Sequence, residues 1–357
     1  MIYKKKRKVA LISGITGQDG SLLARLLLEK NYIVHGIKRR SSTLESTVRL
    51  DDIYQDKFIS KKSLFLHYGD VTDPLSCVDI INRTNPNEIY HLAAQSHVAI
   101  SFEQPFYTST VNSLGALNFL EAIRLLRKTN NIKFYNAASS EMYGSLKANK
   151  QNEKTPFEPQ SPYATSKLFS YWITKNYRDS YKIFASNGIL FNHESYYRGE
   201  TFVTKKITMF VAKYQKKQEG VLYLGSLSSK RDWGSAEDYV YGIWKILQHS
   251  KPDDFVLATG KSYSVRDFVK TAFKYINVDI VFRGSGSNEV GINKKTKKII
   301  VKSMHYYYRP NEVNNLIGDA SKAKKILNWK PKNSFNKLVF SMLEKDIKNL
   351  YVINVAK

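Results

Sequence analysis

The chain has 357 residues, and its 56 Lys and Arg against 31 Asp and Glu give a formal net charge of +25 and a pI of about 9.7. With 42% hydrophobic and 24% charged residues it predicts a folded protein of about two domains and excludes a disordered or coiled-coil chain. A single cysteine, Cys77, excludes an internal disulfide framework and a multi-cysteine zinc site, and the histidines have no metal-type spacing. No segment has the ~18 consecutive apolar residues of a membrane span, and residues 1–9 have no signal-peptide core. We therefore expect a cytoplasmic protein with no metal and no membrane partner.

The positive charge raises the question of a nucleic-acid partner. The basic residues are mostly Lys rather than Arg, and they form short clusters at 4–8, 213–217, 294–298 and 322–325. No zinc finger or single-strand-binding aromatic motif accompanies them. The pattern favours a solvated basic surface and no nucleic-acid partner, with a basic nucleic-acid-binding protein as the remote alternative.

Short apolar runs typical of β-strands alternate with helical segments up to about residue 190. The first run, 8–13, ends in glycine, and leucines at helical spacing follow over 21–30. Further apolar runs lie at 32–37, 64–68, 88–93, 133–137 and 186–191, with a helical stretch at 113–128. This alternation predicts an α/β fold with a doubly wound parallel sheet of the Rossmann type.

The pattern loosens after residue 190. A Gly/Ser-rich stretch at 284–291 precedes a lysine-rich, hairpin-like segment. We interpret 1–190 as the sheet domain, with a returning segment at about 232–258, and 191–357 mainly as a smaller mixed α/β lobe that binds substrate.

A glycine-rich turn, with the spacing G-x-x-G-x-x-G, follows the first predicted strand and opens the first helix. Glycines there permit positive φ, let the backbone approach a pyrophosphate, and leave N–H groups of a helix N-terminus free to bind it. We therefore predict that a dinucleotide is bound by the residues of this turn: Gly14, Thr16, Gly17, Gln18, Asp19 and Gly20.

The end of the second strand predicts which dinucleotide is bound. An NAD-selective site has Asp or Glu about twenty residues after the turn, but the segment here reads KRRSS from Lys38, with no acidic residue between Asn31 and Leu44. Arginine and hydroxyl donors suit a 2′-phosphate, which favours NADP, with Arg39 as a contact. Asp70, after the third strand, is a candidate for the adenine, although a turn-forming Asp gives the same pattern.

Tyr163 and Lys167 have the spacing Y-x-x-x-K before an apolar helical run. On a helix, these side chains share one face, and the ammonium of Lys167 is expected to lower the pKa of the Tyr163 phenol from ~10 toward that of a general base. Together with the glycine turn, this spacing resembles the short-chain dehydrogenase/reductase superfamily.

An acid follows the fifth predicted strand, in the segment SSEMYG from Ser139. A hydroxyl of Ser139 or Ser140 is suited to hold a substrate oxygen. Glu141 is the more informative residue, because a carboxylate beside a newly formed ketone can remove the acidified α-proton. The sequence thus predicts elimination chemistry rather than plain alcohol oxidation.

Over nearly its whole length the chain resembles the GDP-mannose 4,6-dehydratase family. The resemblance is carried by GITGQDGS, RRSS, LHYGDVTD, LAAQSHV, SSEMYG, SPYATSK, NGILFNHES, RGETFVTKKI, KRDWG, DFVLATG and RPNEV. It implies that Tyr163, assisted by Lys167, takes the proton of a sugar 4-hydroxyl while NADP accepts hydride. It also implies that Glu141 removes the C5 proton, that water leaves C6 with help from Glu141 or Ser139, and that the hydride returns to C6.

The resemblance also implies a GDP-linked, manno-configured substrate and a homo-tetramer or dimer. The implied substrate contacts are Gln95, Ser96, Asn192, Lys206, Arg231, Arg309 and Glu312. His193 has no vacant role in this mechanism, so we interpret it as a structural hydrogen-bonding residue.

The sequence departs from the family pattern at two places. Ser139 stands where the family usually has Thr, which changes only the fit. Tyr196 and Tyr197 replace a pair that is commonly Pro-Arg or Pro-Leu, and two rings near the sugar would reshape the space around C5 and C6. GDP-D-glycero-D-manno-heptose is therefore an alternative substrate to GDP-mannose, and an NADPH-dependent 4-keto-sugar reductase or epimerase is the alternative activity.

Overall fold

The computed structural model describes residues 6–40, 47–56, 59, 62–145, 150–313 and 315–355, with side chains up to residue 350. The strands are β1 (Val9–Ser13), β2 (Ile33–Lys38), β3 (Leu64–Tyr68), β4 (Glu88–His91), β5 (Lys133–Ser139), β6 (Phe184–Leu190), β7 (His193–Glu194), β8 (Leu222–Leu224), β9 (Lys230–Arg231), β10 (Gly234–Ser235), β11 (Phe255–Leu257), β12 (Tyr263–Ser264), β13 (Ile280–Arg283), β14 (Val290–Asn293) and β15 (Ile299–Ser303). The α-helices are α1 (Gln18–Glu29), α2 (Asp51–Tyr54), α3 (Pro74–Thr84), α4 (Val98–Glu103), α5 (Pro105–Ser109), α6 (Gly115–Leu125), α7 (Pro162–Tyr181), α8 (Val203–Lys217), α9 (Ala236–Gln248), α10 (Val265–Tyr275), α11 (Ser321–Leu327) and α12 (Phe335–Val355).

Seven strands form one parallel sheet in the order β11-β6-β5-β4-β1-β2-β3. Both of its faces are covered by helices, so its central strands are largely buried; Ala10, Leu11 and Ile12 of β1 are completely buried. On one face α1 packs against α9, and on the other α3 packs against α6. The predicted doubly wound parallel sheet is confirmed.

Two elements differ in extent from the sequence prediction. β5 continues past residue 137 to Ser139, which pairs with Leu190 of β6. The helix predicted over 113–128 begins as a π-helical turn, Thr110–Leu114, and continues as α6 to Leu125. The first difference matters for function, because it brings the segment after β5 to the edge of the sheet.

The later part of the chain divides its elements between the sheet and a second layer. α9 and β11 belong to the parallel sheet and its covering helices. A smaller sheet, in the order β13-β14-β15-β8, packs with α8, α10 and α12 around a separate apolar core that includes Phe268, Val301 and Met342. Among the described residues, no helix is long and apolar enough to cross a membrane.

The parallel strands all end at one edge of the large sheet. The chain moves outward from β1 to β2 and β3 and then returns to β4 on the other side of β1. At such a switch point the loops after the strands diverge and leave a crevice, where α/β proteins bind ligands.

Candidate active site

A cavity of about 1100 Å³ extends from this edge of the large sheet to the smaller layer. Of the nineteen residues that the sequence identifies as candidates, eighteen line the cavity. The exception is Gln95, whose amide Nε2 donates to the carbonyl of His97 at 3.1 Å and whose Oε1 accepts from the Thr108 hydroxyl at 3.5 Å. The Gln95 side chain is held within its own loop, and its implied role as a substrate contact stays a prediction; the neighbouring Ser96 lines the cavity.

The glycine turn has the geometry that an anion-binding turn needs. Gly14 has φ of +74°, and a Cβ there would lie 2.8 Å from the backbone nitrogen of Ala93. A Cβ on Gly20 would lie 2.2 Å from the carbonyl oxygen of Gly14. Gly17 is the N-cap of α1 and supplies no capping side chain, so N–H groups of the first turn are left for another acceptor.

Asp19, in this turn, and His193 form a half-buried pair. Asp19 Oδ2 lies 2.8 Å from His193 Nε2, and the other ring nitrogen of His193 lies 2.7 Å from the carbonyl oxygen of Phe191. Although burial opposes both shifts, the mutual attraction and hydrogen bond lower the pKa of Asp19 and raise the pKa of His193. His193 thus has the hydrogen-bonding role that the sequence suggests, and it joins the loop after β6 to α1.

Residues that follow β2 and β3 line one end of the cavity. The Arg39 guanidinium donates to the Tyr107 hydroxyl, and both residues line the cavity. Ser41 and Ser42, the other predicted 2′-phosphate contacts, lie outside the described residues. Asp70 Oδ1 accepts from the backbone N–H and hydroxyl of Thr72, at 2.9 and 2.8 Å, which makes it a turn-forming residue that also lines the cavity.

Tyr163 and Lys167 lie in the first turns of α7. The helix begins at Pro162, because the Ser161 hydroxyl oxygen accepts from the Ala164 N–H and proline is favoured in the first turn. The Lys167 ammonium donates to the carbonyl of Ala137 at 2.9 Å.

The predicted lowering of the Tyr163 pKa is wrong for this structure. Burial raises the pKa of Tyr163 to about 12, which outweighs a hydrogen bond with Ser139 that lowers it. Burial also lowers the pKa of Lys167 to about 8. The phenol therefore needs a further positive charge nearby before it can serve as a base near neutral pH.

Glu141 lines the cavity beside two arginines from the later part of the chain. It follows β5 in a short 3₁₀ turn, Ser140–Tyr143, and its N–H donates to Ser139 Oγ at 3.2 Å. Its side chain is nearly buried, and Oε1 lies 3.7 Å from Arg231 Nε and 3.9 Å from Arg309 Nη1. Two guanidinium groups thus stand beside the Glu141 side chain in the wall of the cavity.

The remaining candidate residues surround the end of the cavity in the smaller layer. Arg231 donates to the Val313 carbonyl at 2.6 Å and to Glu312 Oε1 at 3.1 Å. Lys206 Nζ lies 3.9 Å from the Tyr307 ring centroid. The side-chain oxygen of Asn192 is buried with no hydrogen-bond partner among the described residues, a state that costs free energy until a donor is supplied.

Sequence analysis did not identify Glu194 and Arg198, an acid and a base that lie together in the wall of the cavity. Glu194 is buried, accepts from the Thr204 hydroxyl at 2.8 Å, and lies 3.0 Å from Arg198 Nε, whose guanidinium packs 3.6 Å from the Phe202 ring centroid. Burial raises the pKa of Glu194. The available signal was the four-residue separation of Glu194 and Arg198. Outside a helix, that separation does not by itself predict a contact.

Tyr196 and Tyr197 do not line the cavity. Their ring centroids lie 4.1 Å apart, and the Tyr197 ring packs on the apolar core beneath the large sheet. The proposed effect of these rings on the space around the sugar is therefore not present in this structure.

The chain is similar to known proteins over nearly its full length. The family model described as GDP-mannose 4,6 dehydratase matches residues 11–342. A GDP-mannose 4,6-dehydratase of Sinorhizobium fredii is 51% identical over 96% of this chain and 98% of its own length. The human GDP-mannose 4,6 dehydratase is 50% identical over 96% of this chain and 92% of its own length.

Solved structures at lower identity share the fold. UDP-glucose 4-epimerase of Thermotoga maritima superposes with a TM-score of 0.77 at 22% identity, covering 96% of this chain and 99% of that one. A dTDP-glucose 4,6-dehydratase of Bacillus anthracis, in complex with NAD, superposes with a TM-score of 0.76 at 19% identity. The match covers 96% of this chain and 98% of that one.

Proposed function

This chain belongs to the GDP-mannose 4,6-dehydratase family, and from that membership we propose that it is a hydro-lyase that converts GDP-mannose to the 4-keto-6-deoxy sugar nucleotide. The observation that carries the proposal is the position of Glu141. It lines the same cavity as Tyr163 and Lys167, as elimination requires and simple oxidation does not. The relatives' shared name supplies the substrate, and the cavity supplies the residues for the reaction.

We propose NADP as the cofactor. The glycine turn leaves room for a pyrophosphate at the N-terminus of α1, and Arg39 provides a cation at the end of β2 with no acidic residue from Asn31 to Leu44. When bound, the oxidised cofactor supplies a hydride acceptor for C4, a positive charge that favours the Tyr163 phenolate, and the hydride that C6 finally receives. The dTDP-glucose 4,6-dehydratase that shares this fold holds NAD. The choice of NADP over NAD for this chain therefore rests on Arg39.

The chain's own residues handle the protons. Tyr163 accepts the proton of the sugar 4-hydroxyl as C4 is oxidised, and Ser139, which is hydrogen-bonded with Tyr163, holds the same oxygen. Glu141 removes the proton at C5, made acidic by the C4 ketone, and delivers a proton to the departing C6 hydroxyl. After C6 receives its hydride and C5 a proton, the net change is the loss of one water.

We propose that the GDP moiety occupies the end of the cavity around Arg231, Arg309 and Lys206. Planar guanidinium groups suit a diphosphate, and Glu312 suits the N–H edge of guanine. Ser96 and Asn192 are proposed to contact the sugar and the diphosphate side. We propose GDP-mannose rather than the GDP-heptose because the tyrosine pair that suggested a changed pocket lies outside the cavity.

The activity is tested by mass spectrometry of the purified enzyme after separate incubation with GDP-mannose and with GDP-D-glycero-D-manno-heptose, without added reductant. Loss of one water from GDP-mannose is the expected result. Loss of water only from the heptose would reassign the substrate. Turnover that consumes stoichiometric NADPH would instead support the reductase or epimerase alternative, and no reaction with either sugar would overturn the dehydratase proposal.

We also propose a homo-oligomer, a dimer or a tetramer. Large apolar side chains are exposed on the outer surface of α6, α7 and the π-helical turn before α6, where they are available to a second copy: Leu114, Leu125, Phe169 and Trp172. The cytoplasmic location stays a prediction.

A further inference from the structure

The tyrosine pair that the sequence singled out has contacts unrelated to the sugar. Arg25 Cζ lies 5.1 Å from the centroid of the Tyr197 ring, and Arg49 Nε donates to the Tyr197 carbonyl at 2.8 Å. Arg25 Nη2 in turn donates to the carbonyl of Arg49 at 2.8 Å. We call Arg25, Arg49 and Tyr197 the arginine–tyrosine clamp. None of these three residues lines the cavity.

The clamp is bonded directly to the glycine turn. Arg49 Nη1 donates to the carbonyl of Thr16 at 3.2 Å, and the next peptide N–H, that of Gly17, donates to the Gly14 carbonyl at 3.0 Å. The peptide between Thr16 and Gly17 is therefore held from both sides. Arg25 Nη1 donates to the Ser21 carbonyl at 3.0 Å, which fixes the first turn of α1.

The clamp also connects the turn to the loop after β6. The Tyr197 N–H donates to Ser195 Oγ at 3.1 Å, and the Ser195 hydroxyl donates to Gln18 Oε1 at 3.0 Å. Lys205 of α8 donates to the carbonyl of Tyr196 at 3.0 Å. A displacement of this loop would thus be transmitted to the first residues of α1.

The glycines make such support necessary. A turn with three glycines in seven residues has a large conformational freedom to lose, and its N–H groups bind a pyrophosphate well only when they are already oriented. The Arg49 guanidinium also places a fixed positive charge behind a turn whose expected ligand is anionic.

We propose that Arg25, Arg49 and Tyr197 are positioning residues that hold the glycine turn in its anion-binding shape and so retain the cofactor throughout the catalytic cycle. The identity of the cofactor rests on the proposed function. Retention matters for that reaction because the hydride taken from C4 must be returned to C6, and an enzyme that releases reduced cofactor in between loses its intermediate.

The test is the dissociation constant of NADPH, measured by fluorescence without any sugar, together with the release rate by stopped flow. Arg49→Met removes both carbonyl contacts, and we expect NADPH to bind about tenfold more weakly, as for loss of hydrogen bonds from a charged donor. Arg49→Lys keeps the positive charge but not the planar guanidinium group, and it should also bind NADPH more weakly than the wild type. Arg83→Met is the matched control, because Arg83 pairs with Asp79 on α3, away from the turn.

The ring contact is tested separately. Tyr197→Leu removes the stacking on Arg25 and should speed NADPH release, whereas Tyr197→Phe keeps the ring and should restore wild-type release. In dehydration assays the KM for NADP should rise more than kcat falls, a split that general destabilisation would not produce.

Each outcome has a distinct meaning. Wild-type NADPH affinity in Arg49→Met and Arg49→Lys would overturn the clamp. Equal release rates in Tyr197→Leu and Tyr197→Phe would remove Tyr197 from it. If the wild-type enzyme binds neither NADPH nor NADH, the proposed function fails instead. Should Arg49→Met not fold, the comparison of Arg49→Lys with wild type decides the question.

Discussion

At the scale of single residues, Glu141 is the group on which the reaction depends. Glu141→Gln retains the size and hydrogen-bonding shape of the side chain but cannot accept the C5 proton. We expect kcat to fall by about 10² or more, as for loss of a positioned acid/base, with little change in NADPH affinity. Turnover of GDP-mannose measures kcat, deuterium incorporation at C5 in D₂O reports the proton transfer, and a fluorescence titration gives the NADPH affinity.

The control for this substitution is Glu29→Gln, which changes an exposed acid at the end of α1. It should leave these readouts unchanged. Normal C5 exchange in Glu141→Gln would assign the proton transfer to another residue.

Residue-level prediction succeeded where the chemistry is local. The i,i+4 spacing of Tyr163 and Lys167 is enough to put both side chains on one face of α7, and both line the cavity. The sequence did not show that the Lys167 ammonium bonds to Ala137, a residue of β5, or that burial dominates the Tyr163 pKa. Nor did the sequence show the contacts of Gln95, because its partners His97 and Thr108 are set by the path of the loop.

At the scale of elements, the Asp19–His193 pair ties α1 to the loop after β6, and its strength depends on pH. The pKa of His193 is raised above its ordinary value of 6.5, so its contribution to stability is complete below that pH and is lost as pH rises through the folded-state pKa. The pKa of Asp19 is lowered below 3.8, so its contribution is present above that pH and is lost in stronger acid. The pair is therefore most stabilising between pH 3.8 and 6.5.

A double-mutant cycle tests this expectation. Unfolding of the wild type, Asp19→Asn, His193→Gln and the double variant should give a coupling free energy of about 2 kcal/mol at pH 6 and a smaller one at pH 9. Equal coupling at both values of pH would mean that the protonation of His193 does not change between them, which would contradict this expectation.

Element prediction weakened in the smaller layer for a structural reason. The first six strands of the large sheet have four to seven mostly apolar residues next to clear turns, as in β1 and β5. In the smaller sheet, β8 has three residues and pairs in parallel with β15, far away along the chain. No local pattern reports a pairing of that kind, because its energy comes from the partner strand.

At the scale of the whole molecule, the exposed apolar surface of α6 and α7 predicts self-association. Trp172 is 50% exposed on α7, and a charge there should disfavour burial against a second copy. We expect Trp172→Glu to shift the protein toward monomer in light scattering. Tyr223→Glu, at a residue 40% exposed on the smaller sheet, is the control that should leave the mass unchanged.

A wild-type protein that is already monomeric at micromolar concentration would contradict the proposed oligomer. The sequence could only suggest the assembly through the family resemblance, because exposure of Trp172 depends on which face of α7 packs against α6.

The contacts of Glu141 also bear on biosynthesis. Its two guanidinium neighbours, Arg231 and Arg309, are supplied by segments that a ribosome makes about 90 and 170 residues after it. The glycine turn and the Tyr163–Lys167 helix emerge long before that. The large sheet itself is completed only by α9 and β11, which lie between these two segments in the chain. Glu141 therefore gains its second guanidinium neighbour only after every strand of the large sheet has been synthesised.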